Sequence, residues 1–186
     1  LDVTGNISFG AWIKTSGTNN YVISKGDNVS ASTTSYFIRI DSPSATLTGT
    51  SYGSGNSAGV TSSATYNDNN WHHVVFVIDV GDSATLYVDG VSVGTDTSIS
   101  ADINNTSSAL TIGSLNGSSN YFNGTIDEPF VAAEALTPSQ IKHMYEVGKR
   151  ALQNHTASRI VGVTGADNYQ RLMGNASGGT STTARV

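Results

Sequence analysis

Nine consecutive residues, Trp71 to Asp79 (WHHVVFVID), form a near-continuous apolar run. Such a run implies a central strand covered on both of its faces, and it anchors any fold this chain can adopt. Six residues later, residues 85–88 and 91–93 flank Asp89-Gly90, a dipeptide that tolerates the positive φ angles of a two-residue hairpin turn. Residues 7–14, 21–25 and 36–40 carry apolar and small residues at strand spacing, punctuated by Gly17, Asn19, Asn20 and the Gly26-Asp27-Asn28 turn. Residues 109–112 and 122–127 supply two more strands. Residues 42–65 are nearly all Ser, Thr, Gly and Ala, which reads as weak edge strands or loops.

Only one segment is convincingly helical. Thr137 caps it, Pro138 takes the first helical position, Gln140 completes a capping box, and Ile141, Met144 and Tyr145 share a face as far as Gly148. One short helix after a series of strands with turn signals every 8 to 12 residues describes an all-β, two-sheet antiparallel jelly-roll sandwich, in which the sheets bury each other's apolar faces.

The 186 residues suit one domain of ordinary size. Ser, Thr and Asn supply 64 of them and charged residues only 12%, so a coiled coil or helical bundle is excluded. Residues 1–150 are expected to form the sandwich. Residues 151–186 form an appendage, with a short strand at 159–163 and a linker at 174–183. Net charge is -5, but residues 1–141 hold 3 basic and 12 acidic side chains, whereas residues 142–186 hold 6 and 2. An acidic body argues against nucleic acid as a partner, and a basic tail suits docking on that body or on neighbouring copies. No run of 18 apolar residues offers a membrane span, and the absence of Cys excludes a disulfide framework.

Three stretches taken in order, residues 7–14 (ISFGAWIK), 70–90 (NWHHVVFVIDVGDSATLYVDG) and 122–136 (FNGTIDEPFVAAEAL) with the capped helix after them, resemble the laminin G-like branch of the concanavalin A-like jelly rolls. Pro129 departs from the family pattern and implies a bend or an edge position there. The chain starts within the family's Asp-x-Thr-Gly-x-Ile element, so the resemblance implies a further opening strand. Its place is expected to be filled by residues 159–163 or by a neighbouring chain pairing along an open sheet edge, unless the module is truncated.

The resemblance also implies one structural Ca2+ at the sandwich rim, with Asp127 as the side-chain ligand and Asp2 as a second candidate. Carbohydrate would be held by loops or a sheet face, where Tyr52, Tyr66, Asn67, Asn69 and Tyr121 are the expected contacts. Trp12 and Trp71 read as core. Catalysis is not expected: a glycosidase needs two opposed carboxylates, whereas the chain has three Glu residues and the neighbouring Asp127 and Glu128 point to opposite faces of a strand. Residues 55–59 (GNSAG) match a serine-nucleophile pattern outside the strand-to-helix turn that gives it meaning. His72 and His73 read as structural. The expected role is a non-catalytic adhesion or carbohydrate-binding module of an extracellular or virion surface protein. Its partner is a glycan or a surface protein, and a structural assembly subunit is the alternative.

Overall fold

The computed structural model describes residues 3–26, 33–99 and 102–160, with side chains described as far as residue 152. Asp2, the turn at residues 27–28 and the linker at 174–183 lie outside the described residues. The chain divides into two compact units, 1–146 and 147–186.

The first unit is the expected sandwich. Its strands are β1 (Ile7–Thr15), β2 (Asn20–Gly26), β3 (Thr34–Ile40), β4 (Thr46–Tyr52), β5 (Ser57–Thr65), β6 (Trp71–Asp79), β7 (Ser83–Val88), β8 (Val91–Asp96), β9 (Leu110–Ile112) and β10 (Gly124–Ala132). They form two five-stranded antiparallel sheets, ordered β10-β1-β6-β7-β8 and β5-β4-β3-β2-β9. Alternation along each strand sends Ile7, Phe9, Ala11 and Ile13 of β1, Val74, Phe76 and Ile78 of β6, and Tyr36, Ile38 and Ile40 of β3 into one shared core. Phe9 is its hub: its ring lies 4.6 Å from Tyr36 and 5.9 Å, edge-on, from Phe76.

The β6 run is covered on both faces for two different reasons. Val74, Phe76 and Ile78 meet the opposite sheet. Val75 and Val77 pack outward with Tyr87 and Ile141, the latter on α1 (Pro138–Ile160). The helix start follows its sequence signal. The Gln140 amide N–H donates to Thr137 Oγ1 at 3.3 Å, and the Thr137 N–H donates to Gln140 Oε1 at 2.8 Å. The hairpin turn is also as expected, with Asp89 at φ 52° and Gly90 at φ 77°.

Several expectations need correction. β4 is an interior strand of the second sheet, and of the two strands formed by residues 42–65 β5 alone lies at an edge. Its small residues serve the packing: Gly49 faces the Phe76 ring, where an added Cβ would lie 2.5 Å from a ring carbon. The helix continues past Gly148 to Ile160, so residues 159 and 160 are helical and not a strand, while 161–163 lie outside the described residues. A single glycine costs a helix only about 1 kcal/mol, and Lys149, Arg150, Ala151 and Leu152 after it all favour helix. Trp71 is half-buried at the start of β6 and does not join the core. Trp12 is buried, but on the outer face of the first sheet, stacked 5.7 Å from Tyr145 and tilted against His73 at 5.1 Å. Pro129 sits on the edge strand β10 in a bulge, where Glu128 and Pro129 together oppose Ala11 and Glu128 takes φ 46°.

Candidate functional site

The most organised polar array lies on the outer face of the second sheet. On β3, Tyr36, Ile38 and Ile40 face the core, so alternation places Phe37 and Arg39 outward, followed by Asp41 at the strand end. Register then aligns Tyr21, Arg39, Thr48 and Thr61 across four strands, with Phe37, Thr50 and Gly59 in a neighbouring row. Tyr52 follows Thr48 and Thr50 on the same side of β4.

Arg39 is held from three sides. Its Nε donates to Asp41 Oδ1 at 2.7 Å, its Nη1 donates to the Tyr21 hydroxyl at 3.1 Å, and its guanidinium lies 5.2 Å from the Phe37 ring centroid and 5.8 Å from that of Tyr21. Thr48 Oγ1 donates to the second oxygen of Asp41 and pairs with Thr61 Oγ1 at 2.7 Å. A continuous hydrogen-bonded row thus crosses four strands, and each bond polarises the next. The turn after β3 fixes Asp41: its N–H donates to the Thr46 carbonyl at 2.8 Å, and its own carbonyl accepts the Ala45 N–H at 3.1 Å. Arg39 keeps 28% of its side chain exposed and Asp41 18%, over rings of Tyr21 and Phe37 that are each 1% exposed. Arg39 Nη2 makes no hydrogen bond among the described residues. Burial raises the Tyr52 pKa, Tyr21 adds to that, and Arg39 opposes it.

The remaining expected contacts lie elsewhere in the fold. Tyr66 and Asn67 are half-buried in the β5–β6 connection, where Tyr66 packs against the core and meets His72 edge-on at 5.0 Å. Asn69, in the same connection, takes φ 62° and donates its N–H to the Thr15 carbonyl at 2.9 Å, which reads as loop anchoring. Tyr121, in the β9–β10 connection, is 63% exposed, and its hydroxyl donates to the Gly117 carbonyl at 3.1 Å. Of the five, Tyr52 alone shares a face with the Arg39 row.

Asp127 is exposed on β10, and its Oδ1 accepts the Glu128 N–H at 2.9 Å. No group of three or more His, Asp or Glu side chains among the described residues is placed to hold a metal ion.

The histidine pair divides as expected. His72 is half-buried between two carboxylates, with Nδ1 2.8 Å from Asp89 Oδ2 and Nε2 3.1 Å from Asp68 Oδ1. The Asp89 hydrogen bond raises its pKa against the effect of burial. His73 is buried, its backbone N–H donates to Asp89 Oδ1 at 2.9 Å, and its Nδ1 has no hydrogen-bond partner among the described residues. Burial lowers its pKa to about 4. Asp89 thereby pins the β7–β8 turn to β6.

The pattern of the concanavalin A-like lectin/glucanases superfamily, in its laminin G form, matches residues 1–142. The chain belongs to that superfamily. Solved structures share the laminin G-like fold at low identity. A candidate carbohydrate-binding protein from Bacteroides ovatus aligns at 18% identity and TM-score 0.60, over 74% of this chain and 40% of its own. Domain 4 of AbnA, an extracellular arabinanase from Geobacillus stearothermophilus, in complex with arabinotriose, aligns at 20% identity and TM-score 0.59, over 78% and 68%. Domains LG4-5 of the mouse laminin α1 chain align at 17% identity and TM-score 0.56, over 75% and 38%. The laminin G-like chain thus spans about two fifths of the first and third of these. No curated protein matches it in sequence. No helix among the described residues is long and apolar enough to cross a membrane.

Proposed function

We propose that this laminin G-like module is a non-catalytic binding domain of an extracellular protein and that it meets a glycan or a surface protein on the outer face of its second sheet. The observation that carries this reading is the Arg39–Asp41 pair, laid over two aromatic rings and left partly open to solvent. A half-buried ion pair adds little net stability, so its presence with an uncommitted Nη2 is better accounted for by a ligand than by folding. Both oxygens of Asp41 are engaged by Arg39 and Thr48, and neither partner is a second carboxyl group of the kind glycoside hydrolysis requires. Two of the similar structures, the candidate carbohydrate-binding protein and the arabinanase domain in complex with arabinotriose, favour a glycan over a surface protein.

Pull-down on insoluble plant and microbial polysaccharides, with an assay for newly released reducing ends, tests this reading. Retention without release is the expected result. Release of reducing ends, or passage through every matrix together with failure to capture any surface protein, overturns it. The resemblance also proposes one structural Ca2+ at Asp127. Unfolding midpoints with and without chelator test it, because an ion bound only to the folded state must raise the midpoint; an unchanged midpoint removes the ion.

One observation favours assembly as a second reading. Between the edge strands β9 and β10 lies an apolar cleft of about 200 Å3 lined by Ile23, Leu110, Ile112, Pro129, Phe130 and Val131. An extended segment from a neighbouring copy would pair along β10 and fill it. Light scattering over a concentration series checks this: a mass that rises with concentration supports assembly, and a constant monomer mass removes it.

A further inference from the structure

We infer that the ligand is a neutral saccharide that presents two adjacent hydroxyl groups to the Arg39–Asp41 pair. This rests on the reading above and narrows it to a chemical class.

The hydrogen-bonding capacity left over on the face decides the class. Arg39 has committed Nε and one N–H of Nη1, so the Nη2 donors are available. Asp41 accepts one hydrogen bond on each oxygen, and a carboxylate oxygen has room for a second. Donors and acceptors therefore stand side by side on one rigid, cross-linked unit. A vicinal diol complements that arrangement, since each sugar hydroxyl accepts one bond and donates another. Tyr52 and Thr50, both partly exposed on the same side of β4, extend the face with an aromatic ring and a further hydroxyl. A pyranose or furanose ring has both an apolar face and an edge of hydroxyl groups, and so matches a ring beside a polar row.

Charge argues against acidic sugars. Arg39 is already neutralised by Asp41, and residues 1–141 carry 12 acidic against 3 basic side chains, so a carboxylated or sulfated ligand would find no net attraction. Tyr21 touches the ligand through Arg39 alone: buried and hydrogen-bonded to Nη1, it is a positioning residue.

The test is calorimetric titration of the full chain with arabinotriose, xylotriose, cellotriose and mannotriose, alongside trigalacturonate as the acidic probe, at low and high salt. At least one neutral trisaccharide is expected to bind, with affinity unchanged by salt and with trigalacturonate weaker. Arg39→Met keeps the aliphatic stem over the rings, and Asp41→Asn keeps the side-chain size; each is expected to weaken binding by at least about tenfold, as loss of a bond to a charged group does. Should either variant melt early, Thr50→Val provides a smaller loss on the same face with the ion pair intact. Neutral binding that survives all three substitutions overturns the inference while leaving a glycan-binding role for another part of the module. A preference for trigalacturonate that salt abolishes overturns the chemical class. Silence toward every sugar, with a surface protein captured through the Arg39 face, overturns the inference and keeps the binding face; silence toward sugars and proteins alike overturns both.

Discussion

Replacing Gly10 by valine is expected to lower the unfolding free energy by at least about 3 kcal/mol, read as a fall in the urea midpoint. Gly10 lies in β1, between β10 and β6, and pairs with Val75. A side-chain carbon there would run into the Val74 carbonyl oxygen and lie 3.0 Å from Val75 Cα. Backbone, and not a flexible side-chain end, would have to move. The displaced strand carries Phe9 and Ala11 on its inner face, so the strain would open the core at its aromatic hub. Gly59→Ala is the control. The nearest atom to a Cβ there is Thr50 Oγ1 at 3.8 Å, on the edge strand β5, and a change within about 1 kcal/mol is expected.

Acidification is expected to destabilise the sandwich chiefly through His73. Its folded pKa lies below the unfolded value, so its contribution is fully present above about pH 6.5 and is lost as pH falls toward about 4. The unfolded chain binds a proton across that interval that the folded chain does not. Integrated over the interval, the loss is on the order of 3 kcal/mol. His72 acts in the opposite sense. Its pKa is raised, so its pairing with Asp89 and Asp68 stabilises below about pH 6.5 and fades as pH rises through its folded midpoint. Together the two histidines place their joint optimum near pH 6.5. His73→Phe retains a ring beside Trp12 and Tyr145 and is expected to flatten the acid limb of the stability profile, leaving only the carboxylate contribution. An acid limb equally steep in His73→Phe would assign the destabilisation to other groups.

The parts of the fold legible in the sequence are those whose signal is local. The Trp71–Asp79 run, the Asp89-Gly90 turn and the Thr137-to-Gln140 capping box each specify their structure within a few residues, and each is found where expected. The interior position of β4 was not legible, because its core-facing residues include Gly49, which contributes room for Phe76 and no apolar signal of its own. The continuation of α1 past Gly148 is not legible, because a glycine after an apolar helical face is also the usual signal of a helix end. The candidate site divides in the same way. Tyr52 stands out as an aromatic ring in a stretch of small polar residues. Arg39 and Asp41 do not, because their meaning arises from register: only pairing of β2, β3, β4 and β5 brings Tyr21, Arg39, Thr48 and Thr61 into one row. The available clue was the alternation of Tyr36, Ile38 and Ile40 with Phe37 and Arg39, which marks two apolar-bearing faces on a strand where one would face water.

Backbone amide chemical shifts of the labelled protein, followed during titration with arabinotriose, xylotriose, cellotriose and mannotriose in turn, test the central claim most directly. The largest changes are expected at Tyr21, Phe37, Arg39, Asp41, Thr48, Thr50 and Tyr52, with the Arg39 side-chain N–H signals moving in step. Changes confined to residues 66–70 and Tyr121, or to the first sheet, with the Arg39 signals unmoved, would contradict it.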